Sequence, residues 1–156
     1  MARTKEQRAV PLLIIVVAAL LVGARVAAHF FAPEPKTDLV NWLPLEQVGS
    51  VARSTNRMIL IDFTADWCAP CHLLDEQVFG DPAMAQEINA RFVSVRLTDR
   101  KREEGRNSRA VEAMEQRYGV KAFPTVIIVD ADGTERARME GYAGPEEFLR
   151  VMESVR

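Results

Sequence analysis

The stretch MILIDFTADWCAPCHLL, residues 58–74, reads as a buried strand, a tight turn carrying two cysteines, and the start of a helix. Met58, Ile59, Leu60, Ile61 and Phe63 form an apolar run suited to a strand covered on both faces. Asp62 interrupts that run, and a carboxylate there is costly unless it has a partner or a task. Asp66 offers turn chemistry and Trp67 an aromatic wall. Pro70 is tolerated in a first helical turn, where its missing N–H costs nothing. Leu73, Leu74 and Val78 continue at helical spacing. Cys68 then sits beside unpaired helix N–H groups and the positive end of the helix dipole, which favour a thiolate. Cys71, one turn inward, is expected to be the more buried of the two. An exposed nucleophile with a buried resolving thiol suits thiol–disulfide exchange: the first attacks, and the second releases the mixed disulfide.

Other readings of the pair carry different weights. Cys68 and Cys71 are the only cysteines in the chain. A structural disulfide across so short a loop removes little chain entropy. A zinc site needs two further ligands, and the only histidine besides His72 is His29, far upstream. The third reading is sharper. Cys68-Ala-Pro-Cys71-His72 matches the C-x-x-C-H attachment motif of c-type haem, with Met84, Met114 and Met139 available as a second axial ligand. The preceding buried strand, the proline inside the motif and the β-rich sequence after it favour redox exchange. Haem attachment stays open as the alternative, and so does a binding module that uses the fold without turnover.

The segment DFTADWCAPC resembles the active-site segment of the thioredoxin superfamily. Its Ala-Asp-Trp-Cys start is most similar to the C-terminal periplasmic domain of DsbD-type thiol:disulfide interchange proteins. The resemblance runs from about Met58 to Met152, with Phe123-Pro124-Thr125, Asp132-Gly133 and Gly141 as further landmarks. It implies a thioredoxin-like α/β fold and a redox-active Cys68–Cys71 disulfide, with no cofactor. It implies a cis Phe123–Pro124 bond facing the cysteines, with the Phe123 backbone placed to pair with an extended client segment. It also puts Asp62 beneath Cys71, where burial would raise its pKa and let it shuttle the Cys71 proton. Asp75 matches an acidic position of the same domain and is expected to couple to Asp62. His72 stands where lysine is common, so its support of a thiolate would vary near pH 7. Ala69 and Pro70 resemble the reducing members. The implied partners are disulfide-bearing client proteins and an upstream membrane thiol donor, since this chain lacks the cysteine-bearing multi-span domain of DsbD-type proteins.

The 156 residues allow one domain and an appendage, and the net charge of −2 gives no sign of a nucleic-acid partner. Arg3, Lys5 and Arg8 precede the uncharged run AVPLLIIVVAALLVGA, residues 9–24; Arg25 interrupts it, and Val26–Ala32 resumes. Taken together these lengths suit a single membrane-spanning signal anchor over residues 1–32, with Arg25 snorkelling. The positive flank places the N-terminus in the cytoplasm and the domain on the periplasmic side of a bacterial inner membrane. A cleavable signal peptide ending near Val26-Ala27-Ala28 is the competing reading; both export the domain.

Residues 33–43 read as a Pro-rich, charged linker, and 44–156 as the domain. Pro44 opens a helix through Leu45, Val48 and Val51. Asp81 and Pro82 start a helix over 82–90. Phe92–Leu97 reads as a strand, Thr98–Asn107 as a charged loop, and Ser108–Tyr118 as a helix closed by Gly119. Val126–Val129 is a buried strand, Asp130–Gly133 a turn, Thr134–Met139 an edge strand, and Pro145–Val155 the last helix. The order from Met58 onward, β-α-β-α-β-β-α, predicts a central mixed sheet flanked by helices.

Overall fold

The computed structural model describes residues 9–30 and 38–155. These fall in two units, divided between Pro35 and Lys36. The first is a single helix, α1 (Ala9–Phe30). Its described side chains include Ile14, Ile15, Leu20 and Leu21, all exposed. Among the described residues, no helix is long and apolar enough to cross a membrane. The expected anchor draws in part on Met1–Arg8 and on residues 31 and 32, which lie outside the described residues, as does most of the linker, 33–37.

The second unit is built on four strands: β1 (Met58–Ala65), β2 (Phe92–Asp99), β3 (Thr125–Val129) and β4 (Glu135–Glu140), in the order β2-β1-β3-β4. β1 pairs parallel with β2 and antiparallel with β3, and β3 pairs antiparallel with β4. The sheet is therefore mixed, as the element order predicts. β1 is central because its apolar run leaves no face for water; every residue from Ile59 to Ala65 is buried.

Alternation along β1 splits the core in two. On one face Leu60 joins Val126 and Ile128 against Leu74, Val78 and Phe79 of the helix after the cysteines, with Ile88, Phe148 and Met152 beyond. That face is covered by α3 (Ala69–Leu74), its continuation through one π-helical turn (Asp75–Phe79), α4 (Pro82–Arg91) and α7 (Pro145–Glu153). On the other face Ile59, Ile61 and Phe63 pack under α2 (Leu45–Thr55) and α6 (Arg109–Tyr118). The turn chemistry read from sequence is in place. Asp81 caps α4, accepting from the amides of Ala83 and Met84 at 3.0 and 2.9 Å ahead of Pro82. Gly119 ends α6 in the left-handed region, φ 62°.

Two stretches differ from the sequence reading. Asp38–Leu43, read as linker, is bonded to the domain: the Leu39 amide donates to the Phe79 carbonyl at 2.9 Å, and the Leu43 amide to that of Ser94 at 2.8 Å. Trp42 thereby forms a parallel bridge to Ser94 on the β2 edge. The charged segment 98–107 is shorter as a loop than its composition suggests. β2 continues to Asp99, and α5 (Lys101–Glu104) follows at once.

Phe148 is 1% exposed and meets the Phe79 ring edge-on at 5.8 Å, joining α7 to the segment after the cysteines. Phe148→Ala is expected to lower stability by about 3–5 kcal/mol in urea denaturation, the usual cost of emptying a buried aromatic site. A loss below about 1 kcal/mol would show that α7 does not hold this face.

Candidate active site

β1 delivers the chain to the turn. The Cys68 amide donates to the Ala65 carbonyl at 3.0 Å, closing the turn over Asp66 and Trp67. Cys68 then stands at the N-cap of α3, its Sγ accepting from the Cys71 amide at 3.2 Å. Pro70 lies in the first turn, where no N–H is needed. Cys68 and Cys71 are joined in a disulfide. Both are 2% exposed and pack with Ala65 and Phe123. The expectation of an exposed Cys68 beside a buried Cys71 does not hold in this oxidised form, because Phe123 and Ala65 close on both sulfurs alike.

The exposed feature is Trp67, 47% open to solvent, with the Phe123 ring edge-on at 6.1 Å. The Phe123–Pro124 bond is cis, as the resemblance implies. Two hydrogen bonds hold this loop. Thr125 Oγ1 donates to the Ala122 carbonyl at 2.8 Å, and the Gly141 amide to the Pro124 carbonyl at 2.7 Å. Gly141 reaches it with φ 78°, a conformation that favours glycine. His72 Nε2 lies 2.9 Å from the Asp66 carbonyl, which fixes the proton on Nε2 and ties the helix back to the turn.

Asp62 stands opposite Arg96 in the β1–β2 register, on the face covered by α3. It is 1% exposed. Its Oδ2 accepts from Arg96 Nε at 2.7 Å, while its Oδ1 is buried without a partner. Arg96 does more than this. Its Nη2 donates to Asp75 Oδ1 at 2.5 Å and its Nη1 to Asp38 Oδ2 at 2.7 Å. Its plane lies over the Trp42 ring, 4.3 Å from the centroid, and Trp42 Nε1 donates in turn to Asp38 at 2.6 Å. Asp75 thus meets Asp62 through a shared cation.

The electrostatics follow from burial and an imbalance of charge. Burial pushes the Asp62 carboxyl up to about 6; Arg96 opposes the rise, and Asp75 and Asp38 add to it. Burial also raises Asp75, again with Arg96 in opposition. For Arg96, burial works against the charged form, yet the surrounding carboxylates prevail and hold it protonated. Arg96, Asp38 and Trp42 were not picked out as site residues from sequence, although a signal was present. Arg96 is the only charged side chain in the strand Phe92–Leu97, and a buried Asp62 demands a cation. Among the described residues no group of three or more His, Cys, Asp or Glu side chains is arranged to hold a metal ion.

A disulfide at a helix N-cap, packed under Phe123 beside the exposed Trp67, is suited to passing electrons between thiol pairs. The family model described as a thioredoxin-like domain matches residues 45–156. The chain belongs to the thioredoxin-like family. It is 28% identical over 152 residues to the thiol:disulfide interchange protein DsbD of Tatumella citrea, covering 87% of this chain and 25% of that protein. It is 28% identical over 109 residues to DsbD of Campylobacter jejuni, covering 69% of this chain and 18% of the relative. The chain therefore spans a quarter or less of these relatives. Among solved structures, a DsbH oxidoreductase superposes with a TM-score of 0.64 at 21% identity, covering 75% of this chain and 86% of its own. The oxidised C-terminal domain of Neisseria meningitidis DsbD gives 0.54 at 22%, covering 69% and 89%. These likenesses establish the thioredoxin-like α/β fold.

The raised Asp62 carboxyl has a consequence for stability. A carboxyl that binds its proton more tightly when folded costs stability above its folded pKa. That cost disappears as pH falls through about 6 toward the ordinary 3.8. The difference amounts to about 3 kcal/mol. In urea denaturation of the oxidised protein, the stability of Asp62→Asn relative to wild type should rise by about 2–3 kcal/mol from pH 4 to pH 7.5. A difference that stays flat with pH would mean that Asp62 titrates as an ordinary carboxyl.

Proposed function

We propose that this chain is an exported, membrane-tethered protein-disulfide reductase of the thioredoxin-like family. The observation that carries the reading is the Cys68–Cys71 disulfide at the helix mouth, within a domain of that family. In the reduced protein the Cys68 thiolate, stabilised by the Cys71 amide, attacks a client disulfide. One client sulfur leaves as a thiolate, and the other is held in a mixed disulfide with Cys68. Cys71 then loses its proton and attacks Cys68 Sγ. The client departs with both sulfurs reduced, and the Cys68–Cys71 disulfide re-forms with the two electrons transferred. Asp62 is the acceptor for the Cys71 proton. Its unpartnered Oδ1 and a pKa near 6 suit a group that takes and returns protons near neutrality.

Trp67 and Phe123 form the client-facing wall, the buried Pro124 and Thr125 hold it from behind, and the Phe123 backbone pairs to an extended client segment. Pro70 holds the first turn open. His72 and Asp75 tune the pair, His72 by bracing the turn and Asp75 through Arg96. A thioether-bound haem would need the sulfurs that the disulfide joins, so exchange is the better-supported chemistry. Re-reduction needs a thiol donor in the membrane. The matched segment is a quarter or less of the DsbD relatives.

The tether rests on the uncharged run 9–24, the cations at Arg3, Lys5 and Arg8, and the exposed aliphatic side chains of α1. Its expected place is a bacterial inner membrane, with the thioredoxin-like domain on the periplasmic side.

With a chemical dithiol as electron source, wild type should reduce a protein disulfide catalytically, and Cys68→Ser should lose at least about 100-fold in rate. Cys71→Ala should accumulate mixed disulfides with its clients. Equal client binding by wild type and Cys68→Ser, with no turnover by either, would instead make the chain a binding module. An intense Soret band would select haem attachment. In cell fractionation the full-length chain should stay in the membrane pellet after a high-salt wash; release as a shortened soluble species would reject the anchor.

A further inference from the structure

The charged segment after β2 has no part in the chemistry described above, yet it is built with care. Asn107 closes it. The Asn107 Oδ1 accepts from the Arg100 amide at 2.6 Å, and its Nδ2 donates to Asp99 Oδ2 at 2.5 Å and to Glu115 Oε1 at 3.1 Å. Lys101 Nζ adds an ion pair to Glu115 at 3.1 Å. Asp99, Asn107 and Glu115 are all buried. Two carboxylates and an amide placed under a surface loop are costly unless they are paired. Here they are paired with one another and with the loop's own first residues. The result is a loop stapled at both ends.

What the staple presents lies against the redox turn. The Arg102 guanidinium carbon sits over the Trp67 ring, 5.5 Å from its centroid. Arg100 Nη1 bonds Glu104 at 3.2 Å and lies 3.9 Å from Asp66 Oδ2. The loop therefore overhangs the two residues that precede Cys68. A guanidinium held over an aromatic face by a cation–π contact still has N–H donors to offer a carboxylate. Among the described residues, Arg102 and Arg106 make no ion pair with the chain's own carboxylates, unlike Arg100 and Lys101. From Asp99 to Arg109 the segment holds five cations against three carboxylates, in a chain whose net charge is −2.

We propose that this loop is a client-selecting surface: Arg102, held over Trp67, receives an acidic polypeptide segment flanking the client's reactive disulfide. The inference rests on the disulfide-reductase reading and adds the class of client to it. Complementary charge at the rim of a docking site acts mainly on encounter and on choice between partners. The effect should therefore appear in kcat/KM and fade with salt.

The test uses the full-length chain in zwitterionic detergent with a chemical dithiol as electron source. Three disulfides are compared: a neutral small one, bis(2-hydroxyethyl) disulfide, and two peptides that differ only in carrying Asp/Glu or Lys beside the cysteines. The expected result is a kcat/KM about tenfold higher for the acidic than for the basic peptide at low salt, approaching parity near 1 M salt. Arg102→Glu should invert the acidic-to-basic ratio. Arg102→Lys, which keeps the charge but not the forked guanidinium, should leave a reduced preference of the same sign. Wild type active on the neutral disulfide but indifferent to peptide charge would overturn the inference and leave the reductase reading standing, as would a ratio unmoved by Arg102→Glu. Wild type inert toward all three disulfides would remove the reductase reading and this inference with it. A charge preference seen only when anionic lipid is present would assign the loop to the membrane surface, and would overturn the proposal as well.

Discussion

A single guanidinium draws together three carboxylates from separate parts of the domain. Arg96 reaches Asp62 on the central strand, Asp75 on the helix after the cysteines, and Asp38 on the edge segment, and it lies on the face of Trp42. Each of those groups belongs to a different element, so one side chain sets their spacing. One positive charge cannot satisfy three negative ones. Burial does most to raise the most buried of them, Asp62, to about 6, against the pull of Arg96; Asp75 and Asp38 add to the rise, and one Asp62 oxygen is left unpartnered. A carboxyl fully paired in such a place would stay ionised and inert; one without Arg96 would stay neutral. The shared arrangement leaves it between the two, able to change state in the range where thiols exchange protons.

This arrangement explains why the sheet is divided as it is. Alternation along β1 turns Ile59, Ile61 and Phe63 toward α2 and α6, where they join an apolar cluster. Asp62 turns the other way, to the face where α3 begins. The charged cluster is confined to that one face, at the end of the sheet where β1 releases the chain into the cysteine turn. Beyond it Phe79, Phe148 and Met152 restore an apolar core. The π-helical turn at Asp75–Phe79 lies on this boundary. Asp75 stands at its start, on the charged side, and Phe79 at its end, in the aromatic cluster.

The parts legible in sequence were those governed by local rules. The apolar run of β1, the proline-started helices α4 and α7 and the Gly119 stop are all short-range signals, and the element order follows from them. The cysteine pair was legible because its chemistry depends on three residues of spacing. The family resemblance supplied the Phe123–Pro124 loop and the burial of Asp62, neither of which local pattern could place. What remained hidden was long-range. Arg96 lies 34 residues from Asp62 and 58 from Asp38, and only strand register brings them together. Asp38 and Trp42 read as linker because their composition is that of a linker; their order comes from contacts to β2 and Arg96. Segment 98–107 read as a solvated loop because buried pairing to Glu115, a helix away, leaves no mark on its composition.

The burial of Cys68 in the oxidised state constrains the catalytic cycle. Both sulfurs are nearly closed off by Ala65 and Phe123, so a donor that reduces the disulfide must press against the turn itself to reach Sγ. The surface beside the turn is made by exposed Trp67, the half-buried Phe123 and the overhanging α5 segment. The chain has one cysteine pair. Under the proposed reductase reading, donor and client meet it in turn, and each must leave before the other arrives. Strong, lasting docking would be a disadvantage for both, because it would block the other half of the cycle. A small aromatic wall with charged groups at its rim meets that need, since rim charges speed encounter more than they prolong residence.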